Sequence, residues 1–168
     1  TAMAPTAGAA PPTRDVAKLE ARVLELLQQD AERAPFTVEW VEEQRVIDVG
    51  GVQTRIVLDR VDRLADGRFA VIDYKTGASA RPAAWMGERP ELPQLPLYVR
   101  AIGHEQVSAV AFGIVCKGST EYRGFARDGA VFPQLQPFDA ANAPFKDYAN
   151  WGDLLQAWNT RLESLAQE

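Results

Sequence analysis

Cysteine is nearly absent. A single Cys116 in 168 residues permits no intramolecular disulfide and cannot supply a multi-cysteine zinc or iron–sulfur site. There is one histidine, His104, in the turn-like run Gly103-His104-Glu105. No Ser or Cys nucleophile motif surrounds it, so it reads as a solvent-facing loop residue. Positive charge is short as well: 18 Lys and Arg against 23 Asp and Glu leave a net charge of −5. That balance excludes a uniformly basic coat able to grip nucleic acid unaided. The longest nearly apolar run, Val107 to Cys116, is far below the roughly 18 residues that a membrane span needs. No basic segment followed by an apolar stretch opens the chain, and no Gly-rich phosphate loop of the Walker type occurs. The expectation is a soluble, cytoplasmic protein with no membrane partner.

What is present is ordinary for a globular protein: 46% hydrophobic and 24% charged residues, which rules out wholesale disorder. The length suits one domain. Residues 1–12, ending in Pro11-Pro12, are Ala, Pro, Thr and Gly with one Met. They read as a tail or linker, leaving 13–168 as the domain, expected to be one part of a longer parent chain.

Past Thr13, an N-cap candidate, Val16, Leu19, Val23, Leu26 and Leu27 recur at helical spacing until Pro35. That apolar stripe is expected to pack on something. From Phe36 the period changes to two, predicting a strand through Val41 and a second short one over Arg45 to Val49, with Gly50-Gly51 turning the chain. Strands over 53–63 and 68–75 follow, then a Pro- and Gly-rich loop over 78–91. A helix is predicted over 94–102, strands over 107–116 and 121–127, and a last helix behind Asn150 with Trp151, Leu154, Leu155, Trp158, Leu162 and Leu165 in one stripe. Trp85 reads as the clamp of its long loop, and Cys116 as small core filler. The order of elements makes a mixed α/β domain.

The informative stretch runs from Ile56 to Gly77. In a strand, Asp73 and Lys75 project from one face. Taking Ala65-Asp66-Gly67 as a three-residue hairpin loop with Gly67 in the left-handed position pairs Leu64 with Arg68, and Asp59 with Asp73. Facing carboxylates repel, and such a pair normally destabilises a sheet. It persists if a proton is shared, a cation bridges it, or Lys75 compensates. A divalent metal accounts for it best, since hard oxygen ligands suit magnesium or manganese. A two-residue loop would instead set Asp59 opposite Tyr74, and the inference would fail.

Asp59-Arg60-Val61-Asp62, then Val71-Ile72-Asp73-Tyr74-Lys75-Thr76-Gly77, then Gln94-Leu95-Pro96-Leu97-Tyr98 together resemble the RecB/AddB-like branch of the PD-(D/E)XK nuclease superfamily, closest to the C-terminal nuclease domain of bacterial DNA-repair proteins. The resemblance covers roughly residues 36–102. It implies a restriction-endonuclease-like mixed β-sheet flanked by helices, and a Mg²⁺- or Mn²⁺-dependent DNA nuclease, such as an exonuclease, in double-strand-break or recombinational repair. DNA, other domains of the parent chain and a helicase subunit are the implied partners. Asp59, Asp73 and the Tyr74 carbonyl would hold the metal. Lys75 would position or help activate the attacking water. Gln94 and Tyr98, on one face of a helix, would line the site, and Arg60, with Arg63, Arg81, Arg89 and Arg100, would meet the substrate backbone. Glu43 is the first candidate for the family's upstream acid, with Glu39 and Glu32 behind it. Two departures stand out. Ile56 occupies a position where relatives commonly have Gly, and the cysteines that bind a cluster in some relatives are missing, so no iron–sulfur cluster is expected. The alternative is a catalytically degenerate module that binds DNA or a helicase partner without cleaving, or a purely structural sheet domain.

Overall fold

The computed structural model describes residues 13–168; the expected tail, 1–12, lies outside the described residues. Helix α1 (Thr13–Ala31) is followed by β1 (Phe36–Val49), β2 (Val52–Leu64) and β3 (Phe69–Lys75). Helix α2 (Gln94–Ile102), β4 (Val107–Cys116), β5 (Ser119–Ala126), the two-residue β6 (Gln136–Pro137) and α3 (Trp151–Ala166) complete the chain. Among the described residues one six-stranded sheet forms, in the order β1-β2-β3-β4-β5-β6. The β3–β4 and β5–β6 pairs are parallel and the others antiparallel. This is the mixed sheet flanked by helices that the sequence predicts. None of the described helices is long and apolar enough to cross a membrane.

Two cores lie on opposite faces of the sheet. The larger joins Leu58, Val61, Val71, Val110 and Phe112 to Leu95 and Val99 of α2 and to Leu154, Leu155 and Trp158 of α3. The smaller gathers Ala70, Ile72, Ala109, Ala111 and Tyr122 beneath Leu26 of α1 and Phe132. Strand β4 is buried along most of its length, which explains its unbroken apolar run: a strand covered on both faces has no polar side. Trp85 is fully buried, with its ring centroid 4.6 Å from that of Phe112 and 5.6 Å from those of Phe125 and Trp158. It anchors the loop between β3 and α2, as expected. Asn150 caps α3 by accepting a 3.0 Å hydrogen bond from the Asp153 amide.

Three expectations change. The break predicted near Glu42–Gln44 is no gap: β1 is continuous, and Glu42 instead adopts φ +51° within it. The repeat of two also breaks in β2, where Ile56, Leu58 and Val61 all enter the same core. The stripe on α1 is mostly uncovered: Leu26 is buried, whereas Val16, Leu19, Val23 and Leu27 are exposed. Periodicity marked an apolar face, but within this chain only the C-terminal end of the helix rests on the sheet.

The β2–β3 turn fixes everything downstream. Gly67 has φ +80°, and the Leu64 amide donates to the Arg68 carbonyl at 2.8 Å. The pairs Arg63–Phe69, Asp62–Ala70, Val61–Val71 and Arg60–Ile72 follow, the register of the three-residue loop. Gly67→Ala meets open space, so its cost is backbone strain alone, about 1–2 kcal/mol. Trp85→Ala opens a cavity under the loop and costs about 3–5 kcal/mol. Denaturant melts of the two variants check both values.

Candidate active site

The ladder between β2 and β3 ends at Arg60–Ile72, while β3 goes on pairing with β4 through Asp73, Tyr74 and Lys75. One edge of β3 is therefore open at these three residues. Asp59 fills part of the opening: its Oδ2 accepts a 2.9 Å hydrogen bond from the Tyr74 amide. A side-chain oxygen thus takes the place of a missing strand carbonyl and satisfies an amide that would otherwise be unpaired.

Asp73 lies on the front face beside it, only 2% exposed. Burial, opposed by Lys75 and reinforced by the Asp59 carboxylate, raises its carboxyl to about 6. Lys75 Nζ stands 2.8 Å from Asp73 Oδ2, yet that buried oxygen receives no well-aligned hydrogen bond. Lys75 Nζ also donates to Gln94 Oε1 at the start of α2. One turn further on, Tyr98 is buried, and its phenol is pushed above the usual tyrosine range by burial and by the charges of Asp59, Asp73 and Glu42. A cavity of about 390 Å³ opens here, lined by Arg55, Val57, Asp59, Gln94, Leu97 and Tyr98 among others.

The structure thus brings together Asp59, Asp73, Lys75, Gln94 and Tyr98, with the Tyr74 peptide between the two acids. It does not bring Arg60 there. The Arg60 guanidinium lies on the opposite face of the sheet, its donors taken by Asp62, Asp30 and the Tyr74 hydroxyl. Arg63 and Arg100 are likewise engaged, the first by Glu39 and the second by Asp48, Asn159 and Glu163. Arg100 lines a separate cavity of about 430 Å³ between α2, α3 and β1, in which its side chain is already satisfied. Glu43 pairs with Leu58, the neighbour of Asp59 in β2. Its neighbour Glu42 lies between the pairs Val41–Arg60 and Glu43–Leu58, across from Asp59, and its charge reaches Tyr98. Glu42 and Arg55 escaped the sequence reading. A strict alternation gave no reason to prefer Glu42 over Glu43, and Arg55 carries no motif.

A divalent cation fits this donor set. Among the described residues no three His, Cys, Asp or Glu side chains converge, so Asp59 and Asp73 are the acidic donors close to each other. Magnesium is commonly held by one or two carboxylates, with other oxygens completing its shell. Asp73 Oδ2, paired with the Lys75 ammonium but without a well-aligned hydrogen bond, keeps acceptor capacity for a cation.

A mixed sheet between helices, with paired acids and an ammonium at the opening of a hairpin, defines a restriction-endonuclease-like α/β protein. The model of the PD-(D/E)XK nuclease superfamily matches residues 4–167, nearly the whole chain, and the chain belongs to that superfamily. No curated protein matches it significantly.

The raised Asp73 carboxyl carries a stability signature. The folded state holds this proton more tightly than the unfolded chain, whose value is the ordinary 3.8. The benefit is complete below pH 3.8 and is lost as pH rises through about 6. In chelator, Asp73→Asn is therefore expected to stabilise the protein at pH 8, by on the order of 2 kcal/mol, and to change little at pH 4. Thermal melts at the two pH values check this.

Proposed function

We propose that the chain is a divalent-cation-dependent DNA nuclease of the RecB/AddB-like kind, with residues 13–168 as its catalytic domain. Its place would be in double-strand-break or recombinational repair, within a longer parent chain or beside a helicase subunit. The observation that carries this reading is the meeting of Asp59 with a buried, incompletely satisfied Asp73 beside Lys75. Two neighbouring acids are costly unless a proton or a cation offsets their charge, and a divalent cation does so for both at once.

In this reading Asp59, Asp73 and the Tyr74 carbonyl hold Mg²⁺ or Mn²⁺. When bound, the cation supplies Lewis-acid stabilisation of the charge developing on the phosphate. The protein's own groups do the positioning. Lys75, steadied by Asp73 and Gln94, presents an ammonium at the open edge of β3, where it orients the attacking water and offsets negative charge on a phosphate oxygen. Gln94 fixes the ammonium through its Oε1 and offers its amide N–H groups outward. Tyr98, held protonated, can donate a hydrogen bond but cannot serve as a base near neutral pH. Glu42 takes the role of upstream acid, first sought at Glu43. Arg55, exposed on the wall of the same cavity, contacts a backbone phosphate and replaces Arg60 in that role. The net charge of −5 then matters less than local charge, because phosphate contacts set register and position.

Cleavage of DNA by the purified protein in Mg²⁺ or Mn²⁺, abolished by chelator, is the expected result. Asp59→Ala, Asp73→Ala and Lys75→Ala should each lower kcat by about 10²–10³-fold. Arg55→Gln should raise KM, leave kcat nearly unchanged and reduce the salt dependence of binding by about one phosphate contact. DNA binding without metal-dependent cleavage would overturn the enzymatic reading and favour the non-cleaving module.

A further inference from the structure

Behind the candidate site, on the other face of the sheet, lies a neutral cluster of two arginines and two aspartates. Arg60 donates from Nε to Asp62 Oδ1 at 2.7 Å and from Nη2 to Asp62 Oδ2 at 2.9 Å. Its Nη1 serves both Asp30 Oδ2 at 2.9 Å and the Tyr74 hydroxyl at 3.0 Å. Arg33 Nη1 donates to Asp30 Oδ1 at 2.9 Å and Asp62 Oδ2 at 2.8 Å. Its guanidinium stacks on Phe36 and Phe132, each ring centroid 3.9 Å away. Tyr122 closes the cluster by donating to Asp30 Oδ1 at 3.0 Å. The Asp62 side chain is fully buried, and those of Arg60 and Asp30 are about one-tenth exposed.

Buried ion networks seldom add net stability over well-packed apolar residues of the same volume. Their better-attested use is to specify geometry. Here the geometry concerns one residue. Tyr74 sits between Asp73 and Lys75, at the point where β2 no longer pairs with β3. From the front, Asp59 accepts its amide N–H. From the rear, Arg60, the neighbour of Asp59 in sequence, donates to its hydroxyl. The ring itself lies against Gly113 of β4, where an added Cβ would come within 2.6 Å of Tyr74 Cδ1. Any larger residue at Gly113 would lift the ring from the strand.

We propose that the Arg60–Asp62–Asp30 cluster is a positioning device: through the Tyr74 hydroxyl it fixes from behind the peptide that separates the two site residues Asp73 and Lys75. It substitutes for the strand pairing that the open edge of β3 lacks. Arg60 and Tyr74 then act through the backbone and never touch substrate. The inference rests on the functional reading only for its effect on cleavage; its effect on the Tyr74 peptide stands apart.

Tyr74→Phe is the direct test, since it keeps the ring on Gly113 and removes only the hydroxyl. Tyr122→Phe is its control: it removes a hydrogen bond to the same Asp30 without touching β2 or β3. Amide hydrogen exchange at residue 74 is read by NMR in the metal-free protein, with thermal midpoint, kcat and KM for DNA measured alongside. In Tyr74→Phe, exchange at residue 74 should quicken about tenfold, the worth of one hydrogen bond. Its kcat should fall by a similar factor, with KM within about twofold and the thermal midpoint little changed. Tyr122→Phe should leave exchange at residue 74 and kcat unchanged. Exchange within twofold of the parent in Tyr74→Phe, or equal quickening in Tyr122→Phe, overturns the proposal, the second outcome marking the cluster as merely stabilising. If the parent protein cuts no DNA, the functional reading falls, and the exchange rates alone decide the positioning role.

Discussion

The register between β2 and β3 is the constraint on which the rest of the molecule depends. It is set at a three-residue turn by Gly67, whose positive φ is open to few other residues. It then propagates as four successive pairs to Arg60–Ile72. Because side chains alternate, a slip of one residue would exchange the two faces of the hairpin. Asp59 would turn away from Asp73, and Arg60 would point at the acids instead of at Tyr74. A single turn thus sorts acids to the front of the sheet and an arginine to its back.

Much of this was legible in the sequence, for reasons that differ by element. The hairpin could be derived because turn chemistry and alternation act over a dozen residues and leave few registers to choose from. Helix α2 and the capped α3 were legible because their apolar positions and boundaries are local. What could not be read depends on contacts between distant segments. The destination of Arg60 is decided by Asp30 on α1 and by Tyr74, both far off in the chain. The uncovered face of α1 could not be foreseen, since a periodic stripe states that a face is apolar and not what lies over it. The disposition of Glu42 and Glu43 depends on one backbone angle, φ +51° at Glu42, which breaks the alternation that a sequence reading must assume.

The disposition of charge follows from the same geometry. Several arginines that composition alone would offer to a polyanion are committed within the protein: Arg33 and Arg60 in the rear cluster, Arg63 to Glu39, Arg123 to Glu121, and Arg127 to Asp66 and Asp128. Internal pairing thus removes much of the positive charge that the composition counts, while Arg55 stands exposed on the wall of the cavity.

The opening beside β3 has one more consequence. Unpaired backbone at a sheet margin invites strands from other molecules, and proteins normally guard against it. Here the gap is a notch in the interior of the sheet, bounded by β2 on one side and closed by β4 on the other. Asp59 occupies part of that gap, its carboxylate already holding the Tyr74 amide, so the margin offers a foreign strand little free backbone. A side chain, and not a bulge or a covering helix, thus does the guarding at this margin.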